Sequence, residues 1–153
     1  IYPRGREDTV SQSSSAEWPI QKAIYSRLTT GGGGATPLTC SVYDDVPSTP
    51  VAFPYAVLGM DDQGEWRTKT WNGREVVATV DIWSDYDGAK EAKDLVNNAV
   101  KALTASELDL SADNFAVCWS GVESNSVEPY PLEPEGLLRH GTVRMRYRVQ
   151  QTA

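Results

Sequence analysis

The sequence predicts a single domain in which a β-sheet is packed against two α-helices, and three observations carry that expectation. Val76, Ala78, Val80 and Ile82 alternate with Val77, Thr79, Asp81 and Trp83, the period of a strand with one buried side; apolar groups on both faces make it a central strand. After Tyr86-Asp87-Gly88 the period lengthens, and Ala89, Ala92, Val96, Ala99 and Leu103 recur at helical spacing opposite Lys90, Glu91, Lys93 and Asp94. The length of 153 residues is that of one domain, enough to bury ~70% of the unfolded surface around one core.

Taken in order, residues Ile1 to Ser15 carry too few large apolar side chains to offset the entropy of ordering them, so 1–15 is expected to be a flexible N-terminal arm. From Glu17 the pattern is helical, with Pro19 in the first turn, Ile20, Ala23, Ile24 and Leu28 forming the apolar stripe, and Gln21, Lys22 and Arg27 facing out. Gly31 to Gly34 end this helix as a flexible connector; with no Lys-Ser or Lys-Thr after them they do not read as a phosphate loop. Ser41 to Val46 and Ala52 to Gly59 are expected to be extended, broken by Pro47 and Pro50. Met60 to Gly73 reads as a long polar hairpin with its turn signalled by Asn72-Gly73. Asp87 is the expected N-cap of the second helix. Beyond it, Leu108 to Leu110 and Phe115 to Val127 read as extended, Glu128 to Gly136 as a loop because of its three prolines, and the last strand alternates Val143, Met145, Tyr147 and Val149 with Thr142, Arg144, Arg146 and Arg148. The end of the chain, 151–153, is expected to fray.

Fourteen Lys and Arg against 21 Asp and Glu give a net charge of −7, which argues against tight sequence-independent binding to nucleic acid or anionic membrane. No apolar run reaches the length of a membrane span, and IYPRGREDTV is unlike a secretory signal, so a cytosolic protein is expected, numbered from beyond its initiator. Cys40 and Cys118 are far apart and in no metal-ligand spacing; they read as small buried or half-buried thiols, with a disulfide open only in an oxidising compartment. His140 is the one histidine, so any hydrolase or transferase chemistry would depend on it, alone or with Cys118; a strand-start histidine is the plainer reading. Asp44-Asp45 and Asp61-Asp62 lack the spacing of a calcium loop and read as solvated charges. No cofactor, metal or catalytic constellation is indicated.

Of the five tryptophans, Trp83 and Trp119 fall in strand patterns and are expected in the core or on a sheet face. Trp66 and Trp71 fall in the polar hairpin, where they read either as anchors of an oligomer interface or as local packing against the parent sheet. The polar face of the last strand, Arg144, Arg146 and Arg148, is wholly cationic and either pairs with carboxylates of the same or a neighbouring subunit or stands solvated.

The segments VYDDVP (Val42 to Pro47), FPYAVLG (Phe53 to Gly59), WRTKTWNGRE (Trp66 to Glu75), VDIWSDYDGAKEAKDL (Val80 to Leu95) and RHGTVRMRYRV (Arg139 to Val149), in this order, resemble the tail terminator, or tail completion, family of tailed bacteriophages and gene transfer agents. The resemblance runs from Ile20 to Val149; the 1–15 arm and the Gly31 to Gly34 run fall outside its pattern. It implies an α+β fold, with a small antiparallel or mixed sheet against two main helices, occupying 16–150. It also implies a non-enzymatic virion protein at the tail-neck junction, assembled in the host cytoplasm as a hexameric ring. Such a ring caps the tail tube, ends its polymerisation, offers a docking surface to the head-completion or neck protein, and passes DNA without binding it specifically. A neck or head-to-tail connector subunit is the alternative within the virion.

Overall fold

The structure, a computed structural model, describes residues 15–67 and 72–152. The expected arm, Trp71 and Ala153 lie outside the described residues, except that Ser15 and Ala16 are seen leading into the first helix.

Helix α1 (Glu17–Thr30) buries Ile20, Ile24 and Leu28 completely, as its spacing requires. Ser15 Oγ accepts the Glu17 N–H at 3.3 Å, which meets one of the free donors of the first turn. Gly31 ends the helix at φ 76°, its N–H donating to Arg27 O, and Gly32 to Gly34 also have positive φ. The run is a tight turn instead of the expected connector: a Cβ on Gly33 would lie 2.2 Å from Ser106 Oγ, and Ser106 donates to Gly33 O at 2.9 Å.

Five strands follow: β1 (Ser41–Tyr43), β2 (Tyr55–Arg67), β3 (Asn72–Ser84), β4 (Phe115–Pro131) and β5 (Leu137–Gln151). Their order is β1-β2-β3-β5-β4, with β1 parallel to β2 and every other pairing antiparallel. The fold is therefore α+β with a mixed sheet, and β3 is its middle strand. Val76, Ala78, Val80 and Ile82 of β3 and Val143, Met145, Tyr147 and Val149 of β5 face both helices and are buried. Full burial of a side chain of this size contributes about 1.5–3 kcal/mol.

Helix α2 (Lys90–Thr104) buries Ala92, Leu95, Val96, Ala99, Ala102 and Leu103 against the sheet. Its N-cap is Ala89, without a side-chain bond, and not Asp87. Gly88 at φ 116° turns the chain between them, and the first turn is tied down by Ser84, whose hydroxyl donates to Glu91 Oε1 at 2.6 Å.

Other boundaries also move. β1 stops at Tyr43 and β2 runs on to Arg67, so Asn72 and Gly73, the expected turn, are the first rungs of β3, paired with Arg67 and Trp66. Leu108 and Leu110 are buried but irregular, leading into a 3-10 turn at Ser111–Asp113. β4 extends through Pro129 and Pro131, which the proline count had placed in a loop. Both prolines sit two apart on the edge strand, where the missing N–H groups cost no ladder bond. β5 keeps its pairing to Gln151, and the Thr152 N–H donates to Asn114 O at 2.8 Å, where fraying was expected over 151–153.

Arg27, expected to face out, is only 7% exposed. Its guanidinium crosses to the end of α2 and donates to Ala102 O and Ser106 O through Nη1 and to Glu107 O through Nη2. Cys118 is exposed, contrary to the buried-thiol reading, and both thiols are free. Cys40 precedes β1 and Cys118 lies on β4, at opposite edges of the sheet; four strand spacings of ~4.8 Å separate those edges, far beyond disulfide reach. Among the described residues no helix is long and apolar enough to cross a membrane.

Candidate functional surface

Both helices cover the same face of the sheet, which leaves the other face open. On it the register sets Glu75 beside Arg148, Val77 beside Arg146, Thr79 beside Arg144, Asp81 beside Thr142 and Trp83 beside His140. The alternation that buries Val143 to Val149 on one side must present the three arginines on the other, and β3 brings a carboxylate to meet them.

A second carboxylate arrives through a bulge. β4 shifts register between Val122 and Ser124, and the extra residue, Glu123, turns toward the arginine row. Arg144 Nε lies 3.4 Å from Glu123, Arg146 bridges Glu75 and Glu123 (2.6 Å to Glu123), and Arg148 Nε lies 3.2 Å from Glu75. Arg148 also sits between two indoles, 5.4 Å from the Trp66 ring centre and 5.5 Å from that of Trp119. Trp119 follows the other β4 bulge and lies over Gly121, where an added Cβ would be 2.9 Å from its ring. Three guanidinium groups, two carboxylates and two indoles thus form one connected layer.

Trp66 is half-buried, one ring face given to Arg148, and Trp71 lies outside the described residues. Trp119 lies on the sheet face, one of the two places expected for it, whereas Glu75 and Glu123 were not singled out from sequence. Glu75 carried a signal, since it is in phase with Val77 and Thr79; Glu123 carried none, because its direction depends on the bulge.

At the other end of the face, His140 stacks on Trp83 (centres 4.2 Å apart, 10° between planes), and Tyr130 meets Trp83 edge-on at 5.1 Å. His140 Nε2 is 2.8 Å from Asp81 Oδ1 and 3.5 Å from Thr142 Oγ1. One ring nitrogen serves both neighbours, so the arrangement lacks the relay in which a carboxylate orients one nitrogen while the other takes a proton. Cys118 sits by Val149, nine residues along β5 and ~30 Å from His140, so the structure does not bring the conceivable Cys118/His140 pair together. No cluster of potential metal ligands occurs among the described residues.

The Glu123 carboxyl is held below its ordinary range, first by the hydrogen bond from Arg146. A carboxyl lowered in the folded state contributes stability that is present above the ordinary carboxylate pKa and lost as pH falls through the lowered value. Glu123→Gln is therefore expected to flatten the fall in melting temperature between about pH 5 and pH 2. Superimposable profiles for the two proteins would show that the pairing adds nothing. Glu75→Ala, which takes the carboxylate from Arg148 and one of two carboxylates from Arg146, is expected to cost about 1–2 kcal/mol at neutral pH in urea unfolding.

The sequence model of a family described as tail completion protein gp17 matches residues 22–150, a span that holds all five strands, α2 and most of α1. No curated protein matches the chain. Among solved structures 25 chains match. One, from the virion of a native gene transfer agent particle, is 24% identical with a TM-score of 0.64, over 86% of this chain and 94% of that one. Another, the bacteriophage SPP1 gp17 protein, is 18% identical with a TM-score of 0.55, over 93% of this chain and 97% of that one. At these identities the likeness is one of fold.

Proposed function

This chain belongs to the tail completion protein gp17 family, and on that premise we propose that it is a structural virion subunit that closes into a hexameric ring on the tail tube. The ring stops tube polymerisation and presents the surface to which the head-completion or neck protein docks at the tail-neck junction. The observation that carries this reading is the family match across 22–150, which leaves no strand outside it. The chain has no catalytic part in it, and His140 serves the sheet face through Trp83 and Asp81.

A closed ring needs a heterologous joint, in which one patch meets a different patch on the next copy. Two unlike sides support this: the α1/β1 side exposes Trp18 and Tyr25, and the β4–β5 hairpin exposes Tyr130, Leu132 and Leu137. Trp66 and Trp71 remain candidate joint residues on the β2–β3 hairpin. The arginine row stays out of the narrow lumen, since its guanidinium groups are engaged by Glu75 and Glu123 and free ones would hold DNA instead of passing it.

The test is native mass spectrometry and electron microscopy of the purified chain with tail tubes. Six-fold rings seated on tube ends, with over-long tails in a deletion strain, are expected; rings seated on head portals instead would make the protein a connector, and a persistent monomer would end the ring reading. In the same assay the Trp66→Ala/Trp71→Ala variant is expected to lose ring stability by a few kcal/mol while keeping its fold.

A further inference from the structure

An apolar groove of about 350 Å³ runs between α1 and β1, walled by Trp18, Tyr25, Val42 and Tyr43. Trp18 is 58% exposed and Tyr25 42%, a large aromatic surface on the outer side of α1. β1 is an edge strand, so its outer N–H and C=O groups have no strand partner among the described residues. The only cation in the wall, Lys22, is engaged by Asp113 at 2.9 Å. Asp44 and Asp45 stand exposed at the end of the groove and form no salt bridge among the described residues. The occupant must bring apolar side chains, cations close behind them and an extended backbone.

Residues Ile1-Tyr2-Pro3-Arg4-Gly5-Arg6 have that chemistry. We propose that the groove between α1 and β1 is the seat of residues 1–6 of a second copy of this chain, with Ile1 and Tyr2 against Trp18 and Tyr25 and Arg4 and Arg6 toward Asp44 and Asp45. Another exposed apolar segment, the β4–β5 hairpin tip, carries Glu133 and Glu135 beside Leu132 and Leu137 and would set like charges against Asp44 and Asp45. Length allows a second copy: thirteen Cα steps from Tyr2 to Ser15 give a reach of up to ~45 Å. A neighbour in contact has its groove about one domain diameter away, ~35–40 Å for a chain of this size. The inference rests on the ring reading, because it needs copies side by side.

The experiment uses the full chain with a photo-crosslinking benzophenone side chain at position 2, in a mixture of light- and heavy-nitrogen copies, with native mass recorded on the same sample. Cross-links joining light and heavy peptides, and landing between Trp18 and Tyr43, are expected. Asp44→Lys/Asp45→Lys is expected to lower their yield about tenfold, and adding Arg4→Glu/Arg6→Glu to restore it. Rings that form with cross-links confined to one copy, landing on the hairpin tip, or absent would overturn this inference and leave the ring reading standing. Absence of any assembly would overturn both.

Discussion

Replacing Arg27 with Met is expected to cost about 3–4 kcal/mol of folding free energy, read as a lower urea midpoint with an unchanged slope. Arg27 lies on α1, yet all its bonds are to the far end of α2 and the strand approach beyond it: Ala102 O at 3.1 Å, Ser106 O at 2.9 Å and Glu107 O at 3.2 Å. Ala102 belongs to the last turn of α2, whose carbonyls have no partners within the helix and carry the negative end of its dipole. A buried cation that donates to the Ala102 carbonyl and to Ser106 O and Glu107 O just past the helix substitutes for a cap, and Met would fill the volume while leaving all three carbonyls without their donor. Arg27→Lys separates charge from geometry. Its ammonium keeps the dipole interaction but cannot reproduce the planar fork, so a loss of about 2 kcal/mol is expected. A change below ~0.5 kcal/mol in Arg27→Met would mean that water serves these carbonyls equally well.

The same residue shows how sequence reading goes wrong. Ile20, Ile24 and Leu28 define the buried stripe of α1, and Arg27 stands seven residues after Ile20 and three after Ile24, on the same stripe. Periodicity put it inside; its charge argued it out, and the charge argument failed because the end of α2 and the segment after it offered three acceptors. Periods also located β3, α2 and β5, where burial and alternation agree. Counting prolines misplaced the end of β4, since Pro129 and Pro131 at a spacing of two put both missing donors on one edge, which pairs with no strand among the described residues. On the open face the arginine row was legible because it alternates. Its partners were less so: Glu75 depends on which strand lies alongside, and Glu123 on a bulge that no local residue type announces. Recognition of the family came from segments spread along the whole chain, consistent with a protein whose function lies in its surfaces rather than in a motif.

Gly141 is a position in the helix–sheet core at which adding one carbon should do much harm. It faces the helices from β5, opposite Ile82, and a Cβ there would lie 2.6 Å from Val96 Cγ2 and 3.4 Å from Ile82 Cβ. Helix α2 therefore rests directly on the strand backbone, with Ala92 and Val96 as the buried contact. Val96 is β-branched and cannot swing aside without entering another turn of its own helix, so the helix or the strand must move. Gly141→Ala is expected to cost about 1–3 kcal/mol and Gly141→Leu more than about 3 kcal/mol, enough to leave much of the chain unfolded at physiological temperature. The cause can be isolated. Val96→Ala vacates the colliding methyl group and alone should cost about 1–2 kcal/mol, but combined with Gly141→Ala the loss should fall short of the sum by at least ~1 kcal/mol. Strict additivity would show that the glycine matters for its backbone alone. Because β5 carries the arginine row on its reverse side, a shift of this strand at Gly141 should also reach Thr142 and Arg144 and loosen the pair between Arg144 and Glu123.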